Sequence, residues 1–81
     1  MTITVRLFAM LRDLAGMDAC RIALAHGANV LDARRALGLR QPRLTPWLEV
    51  ARPALNLDYC SSDAALHDGD ELCFIPPVSG G

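Results

Sequence analysis

The residues best suited to chemistry in this chain are its last six, Pro76-Pro77-Val78-Ser79-Gly80-Gly81. Each proline lacks a backbone N–H and fixes φ, so the pair should end any strand that precedes it. The two glycines have no side chain and would fit a channel too narrow for other residues. Fully extended, such a segment reaches roughly 20 Å at about 3.3–3.6 Å per residue. We therefore expect a thin, flexible tail over residues 76–81 that could carry the Gly81 α-carboxylate into another protein.

A terminal glycine pair taken alone is equally compatible with a frayed end that has no role. The types of the basic residues have one chemical consequence. All eight are arginines, so this chain offers no side-chain amine for acylation. It could donate its carboxyl end to an amine, but it could accept a carboxyl group only at its own N-terminus.

Size and composition predict one domain over residues 1–75, because 81 residues with 52% hydrophobic content suffice for a single core. The net charge of −1 gives no general attraction to nucleic acid or to an anionic membrane. No segment resembles a membrane span or the apolar region of a signal peptide, so we expect a cytoplasmic protein. Cys20, Cys60 and Cys73 show no Cys-x-x-Cys spacing and are expected to be small buried thiols, not metal ligands or disulfides.

The first 24 residues predict two antiparallel strands joined by a short helix. Residues 2–7 alternate polar and apolar, as in a strand with one buried face. Residues 9–15 carry apolar residues at helical spacing, and Gly16 can end that helix. Residues 18–24 alternate again. The side chains predicted to face the core are Ile3, Val5, Leu7, Cys20, Ile22 and Leu24.

A longer helix is predicted in the middle of the chain. Asn29 can cap it, and Asp32 follows three residues later, near the positive end of the helix dipole. Gly38 is the predicted stop. Further on, Thr45 is predicted to cap a single turn that has Pro46 at its first position.

The last third of the chain predicts short strands and turns. Residues 53–60 predict one or two strands around Asn56-Leu57-Asp58, and the Asp68-Gly69-Asp70 segment is a turn signal. Residues 71–75 form the last predicted strand. The element order predicts an α+β domain with one main helix across one face of a mixed sheet. If the first and last strands are parallel neighbours, this is a β-grasp arrangement.

Strand alternation also predicts an apolar patch. If Phe74 faces the core, Cys73 and Ile75 face outward, and Phe8 leaves the first strand on that same outer side. Tyr59 can join them from the preceding strand. Large apolar groups beside the tail predict a docking surface. The alternative is that Phe8 and Ile75 lie beneath a loop at the sheet edge.

Two segments resemble the small, sulfur-carrying subunit of molybdopterin synthase, the MoaD family. Residues 66–81, with the run Phe74-Ile75-Pro76-Pro77-Val78-Ser79-Gly80-Gly81, are similar to that family's C-terminal signature. Residues 5–16 are similar to its N-terminal stretch, whereas residues 38–53 show no match. The resemblance implies a ubiquitin-like β-grasp fold. It also implies a chain that is not catalytic alone and binds no cofactor by itself.

The resemblance implies that a MoeB-like adenylating enzyme uses ATP-Mg to activate the Gly81 carboxylate as an acyl-adenylate. A cysteine desulfurase or a rhodanese-type donor then supplies sulfur, and Gly81 becomes a thiocarboxylate. The tail would enter the large, MoaE-like catalytic subunit of a heterotetramer and give its sulfur to cyclic pyranopterin monophosphate. Both positions 80 and 81 would have to be glycine, because a Cβ at either one would collide with the channel or with the nucleotide.

The resemblance further implies that the apolar patch contacts both the adenylating enzyme and the large subunit, one after the other. The residues assigned to this partner interface are Phe8, Tyr59, Ile75, Pro76, Pro77, Val78 and Ser79. Three alternatives stay open. One is a sulfur carrier of another pathway, such as thiazole formation for thiamine, although such carriers are usually shorter and lack the Phe-x-Pro-Pro-Val run. The second is a ubiquitin-like modifier captured by a lysine amine, and the third is an adaptor with an inert tail.

Overall fold

Five strands form one mixed sheet in residues 1–77, which are the residues that the computed structural model describes. The strands are β1 (Thr2–Arg6), β2 (Ala19–Ala23), β3 (Arg52–Leu55), β4 (Asp58–Tyr59) and β5 (Glu71–Ile75). The α-helices are α1 (Ala9–Ala15), α2 (Val30–Arg40) and α3 (Thr45–Val50), and a 3-10 turn covers Pro42–Leu44. Within these residues no helix is long and apolar enough to cross a membrane.

The sheet order is β2-β1-β5-β3-β4. β1 pairs antiparallel with β2 and parallel with β5, with Arg6 opposite Cys73. On its other side β5 runs antiparallel to β3, and Ile75 lies opposite Arg52. The prediction that the first and last strands are parallel neighbours is confirmed. Because they are parallel, the chain leaves β5 at the same end of the sheet as it leaves β1.

One apolar core lies between the sheet and the helices. Ile3, Val5 and Leu7 are buried as the alternation predicted, and so are Leu72 and Phe74. The helical segments contribute further buried side chains to the same cluster. They are Leu11, Val30, Ala33, Leu37, Leu44 and Leu48. We call the opposite face of the sheet the outer face.

α2 begins as predicted but ends later. Asn29 Oδ1 accepts the Asp32 N–H at 2.9 Å, and Asp32 Oδ2 accepts the Asn29 N–H at 2.9 Å, which forms a capping box. The predicted stop at Gly38 is wrong, because the helix continues to Arg40. It ends at Gln41, where the following proline disfavours helical backbone. A Cβ added at Gly38 would lie 3.0 Å from Thr45 Oγ1, so this glycine allows a close approach of α2 to α3.

The predicted cap at Thr45 is also wrong. Thr45 has helical backbone angles, with φ −51° and ψ −49°, and it already belongs to α3. The 3-10 turn at residues 42–44 leads directly into this helix, so no extended capping residue separates them. Pro46 does lie in the first turn, where its missing N–H has no intrahelical partner to lose.

The β3–β4 hairpin closes through a loop of two residues. Leu55 pairs with Asp58, and the residues between them, Asn56 and Leu57, have φ of 50° and 76°. Positive φ at both positions is typical of a type I′ turn. The Asn56 side chain donates to Asp70 Oδ1 at 3.0 Å and accepts the Glu71 N–H at 3.0 Å. The hairpin tip is therefore fastened to the start of β5, at the end of the sheet away from the tail.

Candidate functional site

The tail begins where sheet pairing ends. Ile75 is the last residue of β5, Pro76 is half-buried and Pro77 is exposed. Neither proline can donate a ladder hydrogen bond, so they terminate the strand as predicted. Four residues of the predicted site lie outside the described residues. They are Val78, Ser79, Gly80 and Gly81.

Three predicted interface residues lie on or next to the outer face: Phe8, Tyr59 and Ile75. We call them the docking surface after this predicted role. Phe8 is 48% exposed and Tyr59 is 58% exposed, whereas Ile75 is half-buried. Cys73 belongs to the same face, as the alternation predicted, and at 9% exposure it is the buried thiol that was expected. It occupies the centre of the sheet between Arg6 and Ala54, and its thiol approaches the Ala54 carbonyl oxygen at 3.7 Å. Cys20 and Cys60 are only partly buried.

The strand register sets the outline of the docking surface. Phe8 follows Arg6 by two residues and Ile75 follows Cys73 by two, so both lie at the end of the sheet where the tail leaves. Phe8 keeps extended backbone angles, with φ −123° and ψ 158°. Because its neighbour Leu7 is buried, Phe8 continues the alternation toward the other side. Tyr59 lies two strands from β5 on the opposite flank, so β5 and the tail base lie between the two aromatic residues.

Two arginines of the outer face, Arg6 and Arg52, lie in the strands on either side of β5. Arg6 Nε lies 3.0 Å from Glu71 Oε1, so its charge is neutralised by its own sheet neighbour. Arg52 lies over Tyr59, with the guanidinium carbon 4.1 Å from the ring centroid. A cation–π contact at an exposed site contributes about 0.5–1 kcal/mol. Sequence reasoning missed Arg52. The available signal was its position two residues before Ala54, which makes it a diagonal neighbour of Tyr59 across the hairpin.

The cysteines are poorly suited to carry sulfur chemistry. Burial raises the pKa of Cys20 and of Cys60, and burial followed by the Glu71 charge raises that of Cys73. A raised pKa keeps a thiol protonated near neutral pH, and the thiolate is the nucleophile. In the stretch from residue 1 to residue 77, no three His, Cys, Asp or Glu side chains are grouped as metal ligands. Of the predicted groups, this leaves the tail as the candidate for covalent chemistry.

Comparison with known proteins agrees with this fold. The chain has a TM-score of 0.92 to the crystal structure of SAMP1 from Haloferax volcanii, which is 30% identical and covers 100% of both chains. It has a TM-score of 0.70, at 32% identity and 100% coverage of both chains, to a structure from Helicobacter pylori. That structure is described as a protein–protein complex of subunits 1 and 2 of molybdopterin-converting factor. The ubiquitin-like β-grasp prediction is confirmed.

Sequence comparison gives the family. The molybdopterin synthase sulfur carrier subunit of Escherichia coli K12 is 38% identical over 81 residues, with 98% of this chain and 99% of that protein covered. The resemblance stated from the sequence is therefore confirmed. The model of the ThiS family matches residues 5–81, which include the whole sheet except its first residues and the complete tail. This chain belongs to the ThiS family.

Proposed function

We propose that this chain is the sulfur carrier subunit of a molybdopterin synthase and acts in molybdenum cofactor biosynthesis. The observation that carries the proposal is the full-length similarity to a protein with that role. The placement of the docking surface supports it, because a partner that binds there also meets the start of the tail. In this function the domain of residues 1–75 holds and presents the tail, and residues 76–81 deliver the reacting atom.

The proposed chemistry follows from the weakness of a carboxylate as an electrophile. An adenylating enzyme of the MoeB type lets the Gly81 carboxylate attack the α-phosphorus of ATP-Mg, and pyrophosphate leaves. A persulfide on a cysteine desulfurase or rhodanese-type donor attacks the resulting acyl-adenylate, and AMP leaves. A second thiol then cleaves the sulfur–sulfur bond and frees the thiocarboxylate. The thiocarboxylate is anionic at neutral pH and polarisable, so it is a competent nucleophile.

The proposed acceptor site lies in the large, MoaE-like subunit, where the sulfur passes to cyclic pyranopterin monophosphate. The Helicobacter pylori neighbour, described as a complex of two molybdopterin-converting factor subunits, supports a partner of this kind. We expect a cytoplasmic heterotetramer in which the large subunit supplies the catalytic side chains. Since the docking surface would serve the adenylating enzyme as well, the two partners bind in turn and exclude each other.

A ubiquitin-like modifier is the second candidate function. It is favoured by the similarity to SAMP1, which other solved structures describe as a small archaeal modifier protein. Both functions need an activated Gly81, and they differ in the group that captures it. A sulfur carrier ends as a thiocarboxylate, whereas a modifier is joined to an amine of a target protein.

Intact mass spectrometry of the full chain tests the proposal. After incubation with the adenylating enzyme, ATP-Mg and a sulfur donor, the chain should gain the mass that replaces one oxygen by sulfur. Deletion of Gly81 or Gly81→Ala should abolish this gain and dithiolene formation with the large subunit, while the melting temperature stays unchanged. Ser79→Thr is the matched control in the same tail and should react like the parent chain. Normal dithiolene formation after deletion of Gly81 would refute the proposal, and heavier protein conjugates would favour the modifier.

A further inference from the structure

Arg52 makes the docking surface cationic at the base of the tail. We propose that Arg52 is a specificity-determining contact that pairs with a carboxylate on the large subunit of the synthase when that subunit covers the docking surface. The inference rests on the proposed function and adds to it the chemistry of the partner's complementary site: an apolar contact with an acidic side chain beside it.

The position of Arg52 places it within the docking surface. It is the cross-strand neighbour of Ile75, the residue from which the tail starts. Directly opposite residues in a sheet point to the same face, so both side chains belong to the outer face. The guanidinium also lies over the Tyr59 ring, at 4.1 Å from its centroid. Arg52 therefore joins two members of the docking surface that the sheet itself keeps apart.

The charge of Arg52 is not neutralised within residues 1–77. Its guanidinium lies over the Tyr59 ring, whereas Arg6 on the same face is paired with Glu71 at 3.0 Å. Asp58 is close along the chain, but it pairs with Leu55 and so belongs to the opposite face of the hairpin. A partner that covers the outer face would desolvate this cation, and an uncompensated buried charge is costly. A carboxylate on the partner removes that cost.

The stacking on Tyr59 suits Arg52 to recognise a carboxylate. A guanidinium is planar and weakly hydrated, and it can stack on an aromatic face while its edge donates two parallel N–H bonds. The contact with the ring also restricts the arginine before binding, so less conformational entropy is lost when a partner docks. Arginine and tyrosine are both enriched among residues that dominate binding energy at interfaces. The pair is therefore a preorganised anion-recognition element beside the tail.

The test compares Arg52→Gln with Arg6→Gln in binding to the purified large subunit. Both substitutions remove one positive charge from the same face, but Arg6 has a carboxylate partner within residues 1–77 and Arg52 has none there. We expect Arg52→Gln to weaken this complex by about tenfold at low salt and to lose most of this effect at high salt, because screening weakens ion pairs. Arg6→Gln should cost less than about threefold, as expected for an exposed, internally paired charge. Arg52→Lys keeps the positive charge but loses the planar guanidinium. Its loss of affinity should lie between the losses in Arg52→Gln and Arg6→Gln.

Phe8→Ala separates a failure of this inference from a failure of the proposed function. If Phe8→Ala weakens binding but Arg52→Gln behaves like Arg6→Gln, the docking surface stands and the role of Arg52 is refuted. If Phe8→Ala and Arg52→Gln both bind like the parent chain, the docking surface itself is wrong. A loss in Arg52→Gln that is independent of salt would also overturn the inference, because it would reflect packing on Tyr59 and not a carboxylate. Circular dichroism confirms that each variant folds.

Discussion

Gly38→Ala measures how tightly α2 packs against α3. The glycine lies inside a helix, where alanine is favoured over glycine by about 0.5–1 kcal/mol. The added Cβ would lie 3.0 Å from Thr45 Oγ1, which is closer than an ordinary contact. Thr45 is exposed, so its hydroxyl can turn away, at a cost of order 0.5–1.5 kcal/mol if the new χ1 is strained. The gain and the cost nearly cancel, and we expect the free energy of unfolding to change by less than about 0.5 kcal/mol.

A double-mutant cycle with Thr45→Ala separates the two contributions. Without the hydroxyl oxygen, Gly38→Ala should raise the free energy of unfolding by the full helix-propensity gain of about 0.5–1 kcal/mol. For a domain of this size that corresponds to a rise of roughly 2–8 °C in melting temperature. The assay is urea unfolding of the four proteins, with unchanged m-values as the check that the unfolded state is comparable.

Gly16→Ala is the matched control for this cycle. A Cβ at Gly16 would meet no atom within 4 Å, but its φ of +72° is unfavourable for alanine. We expect a loss of about 1–2 kcal/mol from backbone strain alone. If Gly38→Ala is destabilising by more than about 1 kcal/mol in both backgrounds, the Thr45 hydroxyl is not what limits the approach of the helices, and the reasoning fails.

The other predictions concern the far end of the sheet. Leu57 is 88% exposed, and its φ of 76° is strained for a residue with a side chain. Leu57→Gly should therefore stabilise the hairpin by about 0.5–1 kcal/mol, which is the strain relieved minus the extra conformational entropy that glycine loses on folding. A lower urea midpoint for the variant would contradict this. Hydrogen bonds from Asn56 and from the His67 N–H lower the pKa of Asp70. Its charged form therefore adds stability above the ordinary pKa, and that stability is lost as pH falls below about 4. Asp70→Asn should lower the melting temperature at pH 7 and flatten its decline in acid; parallel pH profiles would contradict this.

Much of the fold could be predicted because its signals are local. Alternation in residues 2–7 and 71–75 identified the buried face of the two central strands, and both were confirmed. The Asn29 cap was predictable because a capping box depends on residues only three apart. Gly38 was mistaken for a helix stop because a glycine there suits either a helix end or a close approach. The choice depends on Thr45, seven residues away on another helix.

The candidate site was predictable to a smaller extent. Phe8 and Tyr59 could be assigned to the surface from strand parity and from the resemblance, and they are exposed. Arg52 was harder to assign to the docking surface, because its proposed role depends on the register of two strand pairs at once. It lies opposite Ile75 in one pair and diagonal to Tyr59 in the other. An arginine at a strand start is usually only a solvated side chain, and the register alone places this one beside Ile75 and Tyr59.

The position of Ile75 links recognition to delivery in the proposed mechanism. This residue is the last one held by the sheet, through its pairing with Arg52, and it is also part of the docking surface. A partner that binds the docking surface therefore fixes the origin of the tail relative to its own active site. Only the residues after Ile75 then have to be positioned, which limits the conformational entropy that the transfer costs. The tail needs no binding energy of its own if the folded domain supplies that energy through the docking surface.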